Sequence, residues 1–407
     1  MRRFRMVLAV VLALATVAML RYVGRETPRA RAKRTAIWAV SDLTTVRPDD
    51  APAVHSALWD GQKVTLQAAR NEVVAWQVVV RPAMAVAAGQ VTLPTLASDQ
   101  AKLPAGALTV CTEHLMKVQV PSQESESKPA LGQMGSGEFP NQLLPLTPGD
   151  AKHGTFEAAA GRATALWFEL AVPADAAPGS YRGTLALVLA AGQKIDLPVE
   201  LSVLKLSLPR ETHLRNWFYY GPEQIEGFYG PGSAAVEASF RRMAHDHRMN
   251  LAPEYYPPAD AAKREAWWQE QRGWLTGQAF ESGPCAGAAP TTVPIGLPER
   301  DEATVKAAAR GAVALGREHG LADRLLLYGY DEPNDRAAYD TVRQLGRWVD
   351  EAVGSRLPMM VTEAIAPQDP SWGSLEPAVD IFCSPQSSSV DMRRWHECGG
   401  QVWVYNG

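Results

Sequence analysis

The sequence predicts a multidomain α and β protein: an antiparallel β-sandwich over residues 36–208, then a (β/α)8-like barrel over residues 209–407. Two observations predict it. Between residues 36 and 208, apolar residues recur at every second position in short runs broken by turn residues, as in strands with one buried face. Beyond Pro209, short apolar runs alternate with segments of helical spacing, as in parallel strands joined by crossover helices. A barrel is preferred to an open doubly wound sheet because no glycine-rich phosphate loop follows any of these runs. The region spans about 200 residues against roughly 250 for a typical barrel, so a barrel lacking its last strand and helix is part of the expectation.

Taking the elements in order, residues 1–35 read as a leader and linker. Met1-Arg-Arg-Phe-Arg is followed by an uncharged run from Val7 to Leu20, closed by Arg21. That is the layout of a signal peptide, and the run is shorter than the roughly 20 residues of a membrane span. No clean small-x-small cleavage site follows, so an uncleaved membrane anchor is the alternative. Either way the domains are expected outside the cytoplasm: periplasmic, secreted or anchored. Arg29, Arg31, Lys33 and Arg34 form a solvated basic linker.

In the sandwich, Ile195, Leu197, Val199, Leu201 and Val203 alternate with outward residues. Pro198 on the outward set suggests an edge or a bulge. Leu166, Phe168, Leu170 and Val172 repeat the pattern, as do Leu185, Leu187 and Leu189; Val73 to Val80 is a denser run. Residues 121–163, rich in Ser, Gly and Pro, read as a long loop or hairpin excursion.

In the second region, strands are expected at 216–220, 250–252, 325–330, 359–362, 379–383 and 401–405. Helices are expected from Ser233 through His247, over 261–276, from Val305 to Gly320, and from Tyr339 to Gly354. Residues 277–300, rich in Gly, Pro and Ala, read as a loop on the active face.

Composition bounds function. The apolar fraction of 46% and charged fraction of 21% are ordinary globular values. A net charge of −4 gives no footprint for nucleic acid. Twelve Trp and eleven Tyr offer faces on which sugars stack, with core packing as the alternative use. Cys111, Cys285, Cys383 and Cys398 show no CxxC and no metal-like spacing with His. They are either buried thiols or, for Cys383 and Cys398, a bridge that export permits. No metal or cofactor is expected.

Chemistry concentrates in Leu325-Leu-Leu-Tyr-Gly-Tyr-Asp331-Glu332-Pro333-Asn334. An apolar strand ends in two acids, and barrel enzymes place catalysis at such C-terminal strand ends. Two close carboxyls repel each other's charge, which raises one pKa and suits a general acid. The bland alternative is that Asp331 caps the next helix and Glu332 is solvated.

That segment resembles the catalytic motif of glycoside hydrolase family 123, the β-N-acetylgalactosaminidases, and of uncharacterised proteins sharing its catalytic domain. Ala69-Arg-Asn-Glu-Val-Val-Ala-Trp-Gln-Val-Val-Val80 and Val172-Pro-Ala-Asp-Ala-Ala-Pro-Gly-Ser-Tyr-Arg-Gly183 are similar to its sandwich. The resemblance implies a β-sandwich followed by a barrel and a glycan or glycoconjugate substrate. It also implies cleavage assisted by the sugar's own 2-acetamido group. It makes Glu332 the general acid and base, and Asp331 the group that orients the acetamido. Trp217, Tyr219, Tyr328, Tyr330, Trp403 and Tyr405 near strand ends are candidates to line the pocket, against core packing. Glu254 and Glu363 are candidates for hydroxyl contacts.

Two rival functions stay open. A conventional two-carboxylate retaining glycosidase would need a second acid; the strand Gln401–Tyr405 has none, which leaves Glu363. The other is a non-catalytic sugar-binding or structural protein of the cell surface.

Overall fold

The computed structural model describes residues 34–120, 136–150, 154–384 and 388–405. The leader expected over Met1 to Leu20 lies outside the described residues. Among the described residues, no helix is long and apolar enough to cross a membrane. The chain forms two compact units, Met1–Leu208 and Pro209–Gly407.

Unit 1 has ten strands among its described residues: β1 (Ala36–Ser41), β2 (Val64–Arg70), β3 (Val73–Arg81), β4 (Val86–Thr92), β5 (Leu108–Val118), β6 (Gly137–Leu146), β7 (Thr155–Ala158), β8 (Thr164–Ala171), β9 (Gly179–Val188) and β10 (Lys194–Ser207). They form two five-stranded sheets, ordered β1-β3-β8-β5-β6 and β2-β10-β9-β4-β7. Both sheets feed one apolar core, with Trp38, Trp76 and Phe168 from the first and Leu66, Tyr181 and Leu201 from the second. Trp76 and Phe168 lie opposite each other on β3 and β8 and stack at 5.3 Å. Such a cross-strand pair adds to sheet stability beyond its buried area.

One expectation for this unit is corrected. The sheets are not wholly antiparallel: β10 runs parallel to β2, with Val199 opposite Val64. These two strands are distant in sequence, so no hairpin dictates their direction. Pro198 therefore lies on an inner strand, but just before the β2 ladder begins at Val199, where its missing N–H breaks no bond of that ladder. The segment from 121 to 163 is a hairpin excursion in its described part: β6 pairs antiparallel with β5, and the four-residue β7 pairs with β4 in the other sheet.

Unit 2 contains β11 (Phe218–Tyr219), α1 (Pro222–Tyr229), α2 (Ala234–Asp246), β12 (Leu251–Ala252), α3 (Ala261–Leu275), β13 (Val293–Ile295), α4 (Glu302–His319), β14 (Leu325–Tyr330), α5 (Arg336–Val353), β15 (Met359–Val361), β16 (Ile381–Cys383), α6 (Ser389–Glu397) and β17 (Gln401–Trp403). Among the described residues every strand pair of this unit is parallel, and the strands follow one another in sequence order. A parallel bridge from Tyr255 to Ile295 links the β11–β12 pair to the five-stranded sheet β13 to β17. Among the described strands the order does not reverse, unlike in a doubly wound sheet.

Local signals explain the helices. Asp301 caps α4 through the amides of Ala303 and Thr304, and Gly320 ends it in the left-handed conformation at φ +69°. Asp335 caps α5 through the amide of Ala338 at 2.7 Å. Along α5, Tyr339, Val342, Leu345, Val349 and Val353 are buried at the spacing of one helix face.

The strands bury both faces. Leu325, Leu327, Met359, Val361 and Phe382 join the core that includes residues of α4 and α5. The opposite face forms a smaller cluster of Leu326, Met360, Ile381 and Cys383, with Trp217, Tyr328, Trp403 and Tyr405 packed on it. Trp217, just before the first strand, and Trp403, on the last described strand, thus pack on one cluster.

Three elements depart from expectation. Strand β13 lies inside the segment read as a loop, because Val-Pro-Ile is too short to show a period. Helix α1 was not expected; it is eight residues long and buries none of them, and Ile225, Phe228 and Tyr229 make a stripe of only one turn. Helix α6 was not expected either, since it buries Trp395 alone. All four cysteines are free, with Cys383 buried and Cys398 exposed.

Candidate active site

The acids sit where β14 stops. A shift of register between Tyr328 and Tyr330 falls at Gly329, where an added Cβ would come within 2.9 Å of Met359 Sδ. This irregularity breaks the alternation of faces. Tyr328 packs on the smaller cluster, whereas Tyr330 packs against the helix-side core with the Arg300 guanidinium 4.4 Å from its ring centre. Two residues later Glu332 takes φ +43°, a left-handed conformation that costs energy for a residue with a side chain. The buried Pro333 follows. Helix α5 is capped by Asp335, so Asp331 is not spent as its cap.

Both acids are exposed and tethered. Asp331 Oδ1 accepts from Tyr328 Oη at 2.7 Å and from Thr362 Oγ1 at 2.8 Å. Thr362 Oγ1 in turn accepts from the Glu332 backbone N–H at 2.7 Å. Glu332 Oε1 accepts from Tyr405 Oη at 2.6 Å. One threonine therefore fixes the carboxylate of the first acid and the backbone of the second. The hydrogen bond to Glu332, with burial, pushes the Tyr405 phenol up to about 12. Burial raises Tyr328 as well. Both phenols keep their protons and act as donors at neutral pH.

The other sequence candidates separate into groups. Trp217 donates its indole N–H to Ala252 O at 2.9 Å and stands edge-on to Tyr328 at 5.3 Å, so it supports the tyrosine. Trp403 packs on the same cluster and donates to Gln401 Oε1 at 3.2 Å. Tyr219 is exposed, edge-on to Trp217 at 6.1 Å. Tyr330 touches neither acid in any hydrogen bond among the described residues.

Glu254 and Glu363 flank the pair electrostatically. Glu254 interacts with the charge of Asp331, and Glu363 with that of Glu332. Burial raises the pKa of each. Glu254 accepts from Tyr256 Oη at 2.8 Å, and a Cβ on Gly296 would come 2.2 Å from its Oε2 and 2.6 Å from the Tyr256 ring, so a side chain there would displace both. Glu363 is 5% exposed and accepts from the Ala364 N–H at 2.7 Å.

Sequence reading missed Thr362, Tyr256 and Gly296. Thr362 had a signal, as the polar residue closing an apolar strand. Gly296 had none, because its role depends on a carboxyl 42 positions earlier in the chain. Among the described residues no group of three or more His, Cys, Asp or Glu side chains gathers as a metal site.

Glu254 yields a stability prediction. Burial favours its protonated form, so the folded chain holds a proton at pH values where the unfolded chain has lost it. Stability from this group therefore falls as pH rises from the ordinary glutamate value through the raised one. Glu254→Gln should raise Tm at pH 7 and leave it unchanged near pH 4, measured by thermal melts. A lower Tm at pH 7 would show that ionised Glu254 is net stabilising.

No protein-family model matches the chain, and no curated protein matches its sequence. A GH5 xyloglucanase from Bacteroides ovatus aligns with 76% of this chain and 65% of its own, at 10% identity and a TM-score of 0.21, too low to carry an argument. A family 123 glycoside hydrolase from Clostridium perfringens, studied for glycolipid glycan hydrolysis, aligns with 91% of this chain and 72% of its own at a TM-score of 0.61. At 11% identity this likeness is one of fold: the chain is built like a family 123 glycoside hydrolase over most of its length.

Proposed function

We propose that the chain is a glycoside hydrolase of the family 123 type that cleaves 2-acetamido-2-deoxy-β-sugars, β-N-acetylgalactosaminides foremost, with retention and by substrate assistance. The observation that carries this reading is the tethered pair at the end of the fourth parallel strand of unit 2. Asp331 is held by two hydroxyls and Glu332 by one phenol. The sequence-ordered parallel strands, and the cluster shared by Trp217 and Tyr405, support a barrel with this pair at its mouth.

In this mechanism the acetamido oxygen bonds to the anomeric carbon as the glycosidic C–O bond breaks. Glu332 gives its proton to the departing oxygen. Asp331 accepts the acetamido N–H and offsets the positive charge that develops on the ring so formed. Water then opens that oxazolinium-like ring, and Glu332 takes the water's proton. Two donors on Asp331 Oδ1 leave Oδ2 for the acetamido group.

The conventional two-carboxylate scheme fits less well. Its nucleophile would have to be Glu363, which is buried, already accepts an amide and is biased toward its neutral form. The basic start and apolar run to Leu20 support export, with retention of Met1 on cytoplasmic protein as the contrary finding.

The test is turnover of an aryl 2-acetamido-2-deoxy-β-galactoside against its 2-hydroxy analogue. The acetamido sugar should react on the order of 10²-fold faster or more, because its nucleophile is built in. Faster turnover of the 2-hydroxy sugar would reject substrate assistance. No turnover of either would favour the non-catalytic sugar-binding protein.

A further inference from the structure

The register between β14 and β15 decides which side chain meets the acid pair. Tyr328 lies opposite Met360, so an unbroken ladder would set Tyr330 opposite Thr362. The shift at Gly329 sets Tyr330 opposite Val361 instead, which carries Asp331 up to Thr362. The Thr362 N–H still donates to Tyr330 O at 3.3 Å, so the two chains stay paired up to this point. Thr362 itself is half-buried, just past the end of β15.

One hydroxyl then serves both acids. The Glu332 N–H donates to a lone pair of Thr362 Oγ1 at 2.7 Å, and the hydroxyl hydrogen goes to Asp331 Oδ1 at 2.8 Å. A hydroxyl that accepts from an amide donates more strongly to a carboxylate. The amide end of this chain has a second task. Glu332, at φ +43°, is held against two local preferences. A residue with a side chain favours negative φ, and a residue before a proline, here Pro333, favours extended backbone. Such a conformation persists only where the surrounding structure fixes it. Without the Thr362 hydroxyl the Glu332 backbone is free to relax, and its carboxyl to leave Tyr405 Oη, now 2.6 Å away. Asp331 would keep Tyr328 on Oδ1 but could turn about that bond.

We infer that Thr362 is a positioning residue for both acids at once: it aims Asp331 Oδ2 at the acetamido group and holds the Glu332 carboxyl at the leaving oxygen. It acts through the two acids, and its place beside them is set by the register shift at Gly329. The inference rests on the glycosidase reading.

The test compares kcat/KM on an aryl 2-acetamido-2-deoxy-β-galactoside and on the β-linked disaccharide of the same sugar with galactose. Tyr328→Phe removes a bond to Asp331 alone, whose charge is used whatever the leaving group. It should slow both substrates by the same factor, within about twofold, since one interaction common to both is lost. Tyr405→Phe removes a bond to Glu332 alone and should slow the disaccharide more. Thr362→Val keeps the branched shape, loses the hydroxyl and should do both. The aryl glycoside should lose about tenfold, the worth of one hydrogen bond to a charged group. The disaccharide should lose on the order of 10²-fold, because its proton donor is displaced as well. Thr362→Ser keeps the hydroxyl and should recover both rates. Tm is the folding control. A structural role alone would slow both substrates equally in Thr362→Val, and that result overturns the inference. So does a Thr362→Ser chain as slow as Thr362→Val.

Amide hydrogen exchange over residues 325–335 is read by mass spectrometry without substrate. The Glu332 amide should exchange faster in Thr362→Val than in Thr362→Ser or the wild type. Turnover by the wild type with equal exchange in all three chains overturns the clamp and leaves the glycosidase reading standing. Faster exchange in Thr362→Val, with no turnover of either substrate by the wild type, upholds the clamp on the two acids and removes the glycosidase reading.

Discussion

Glu332→Gln is expected to lower kcat/KM on a disaccharide by roughly 10²–10⁴-fold, the usual worth of general acid assistance. A sugar alkoxide is a poor leaving group and must be protonated as it departs. An activated phenolate leaves without that help, so the first step on an aryl glycoside should lose far less. Glutamine keeps the side chain's size and an oxygen that can accept from Tyr405, so geometry is largely preserved while the proton is lost. The left-handed backbone at position 332 is unchanged by this substitution, and so is its amide's bond to Thr362. Steady-state kinetics on both substrates, with Tm as a folding control, check the expectation. Equal activity of variant and wild type on both substrates would remove Glu332 from the mechanism.

Asp331→Asn should fail differently. It preserves shape, and its amide oxygen can still accept from Tyr328 and Thr362. It removes the negative charge that stabilises the acetamido group as positive charge develops. That charge develops whatever the leaving group, so an activated aryl 2-acetamido-β-galactoside should suffer as well. The expected loss is about 10²–10³-fold, typical of removing one electrostatic stabiliser from an active site. The comparison of the two variants across the two substrates is the diagnostic. A loss on the disaccharide alone in both variants would mean that the two acids share one role. Wild-type activity of Asp331→Asn on the aryl substrate would show that its charge is not used in forming the ring.

How much was legible in the chain depends on how local each cause is. Leu325 to Tyr330 stands out as a strand because it is a short continuous apolar run closed by two acids and a proline. Helices α4 and α5 are legible because each carries an apolar face at helical spacing, while their caps Asp301 and Asp335 start them at Glu302 and Arg336, three residues before Val305 and Tyr339, where the apolar pattern begins. Helix α1 has no side-chain cap and only a single turn of apolar residues, and strand β13 is three residues long. Nor could alternation along β14 be extrapolated to Tyr330, because the irregularity at Gly329 turns it to the opposite face from Tyr328. The pairing of β10 beside β2 in parallel likewise joins segments too distant for any local pattern to orient.

The sequence by itself determined the strand and helix periods of the two halves and the placing of Asp331 and Glu332 at a strand's end. These follow from which side chains within a few residues of one another are apolar, acidic or unable to continue a strand. Only the tertiary structure decided what holds the acids. Thr362 reaches Glu332 across 30 positions and Tyr405 reaches it across 73, each from a neighbouring or more distant parallel strand. It also decided that Glu363 is buried and Glu254 half-buried beside the pair, that Tyr330 is not with them, and that a cavity opens past Glu254. Hydrogen bonds and burial depend on which strand ends meet in space, and parallel strands bring together ends whose intervening helices place no constraint on the residues there.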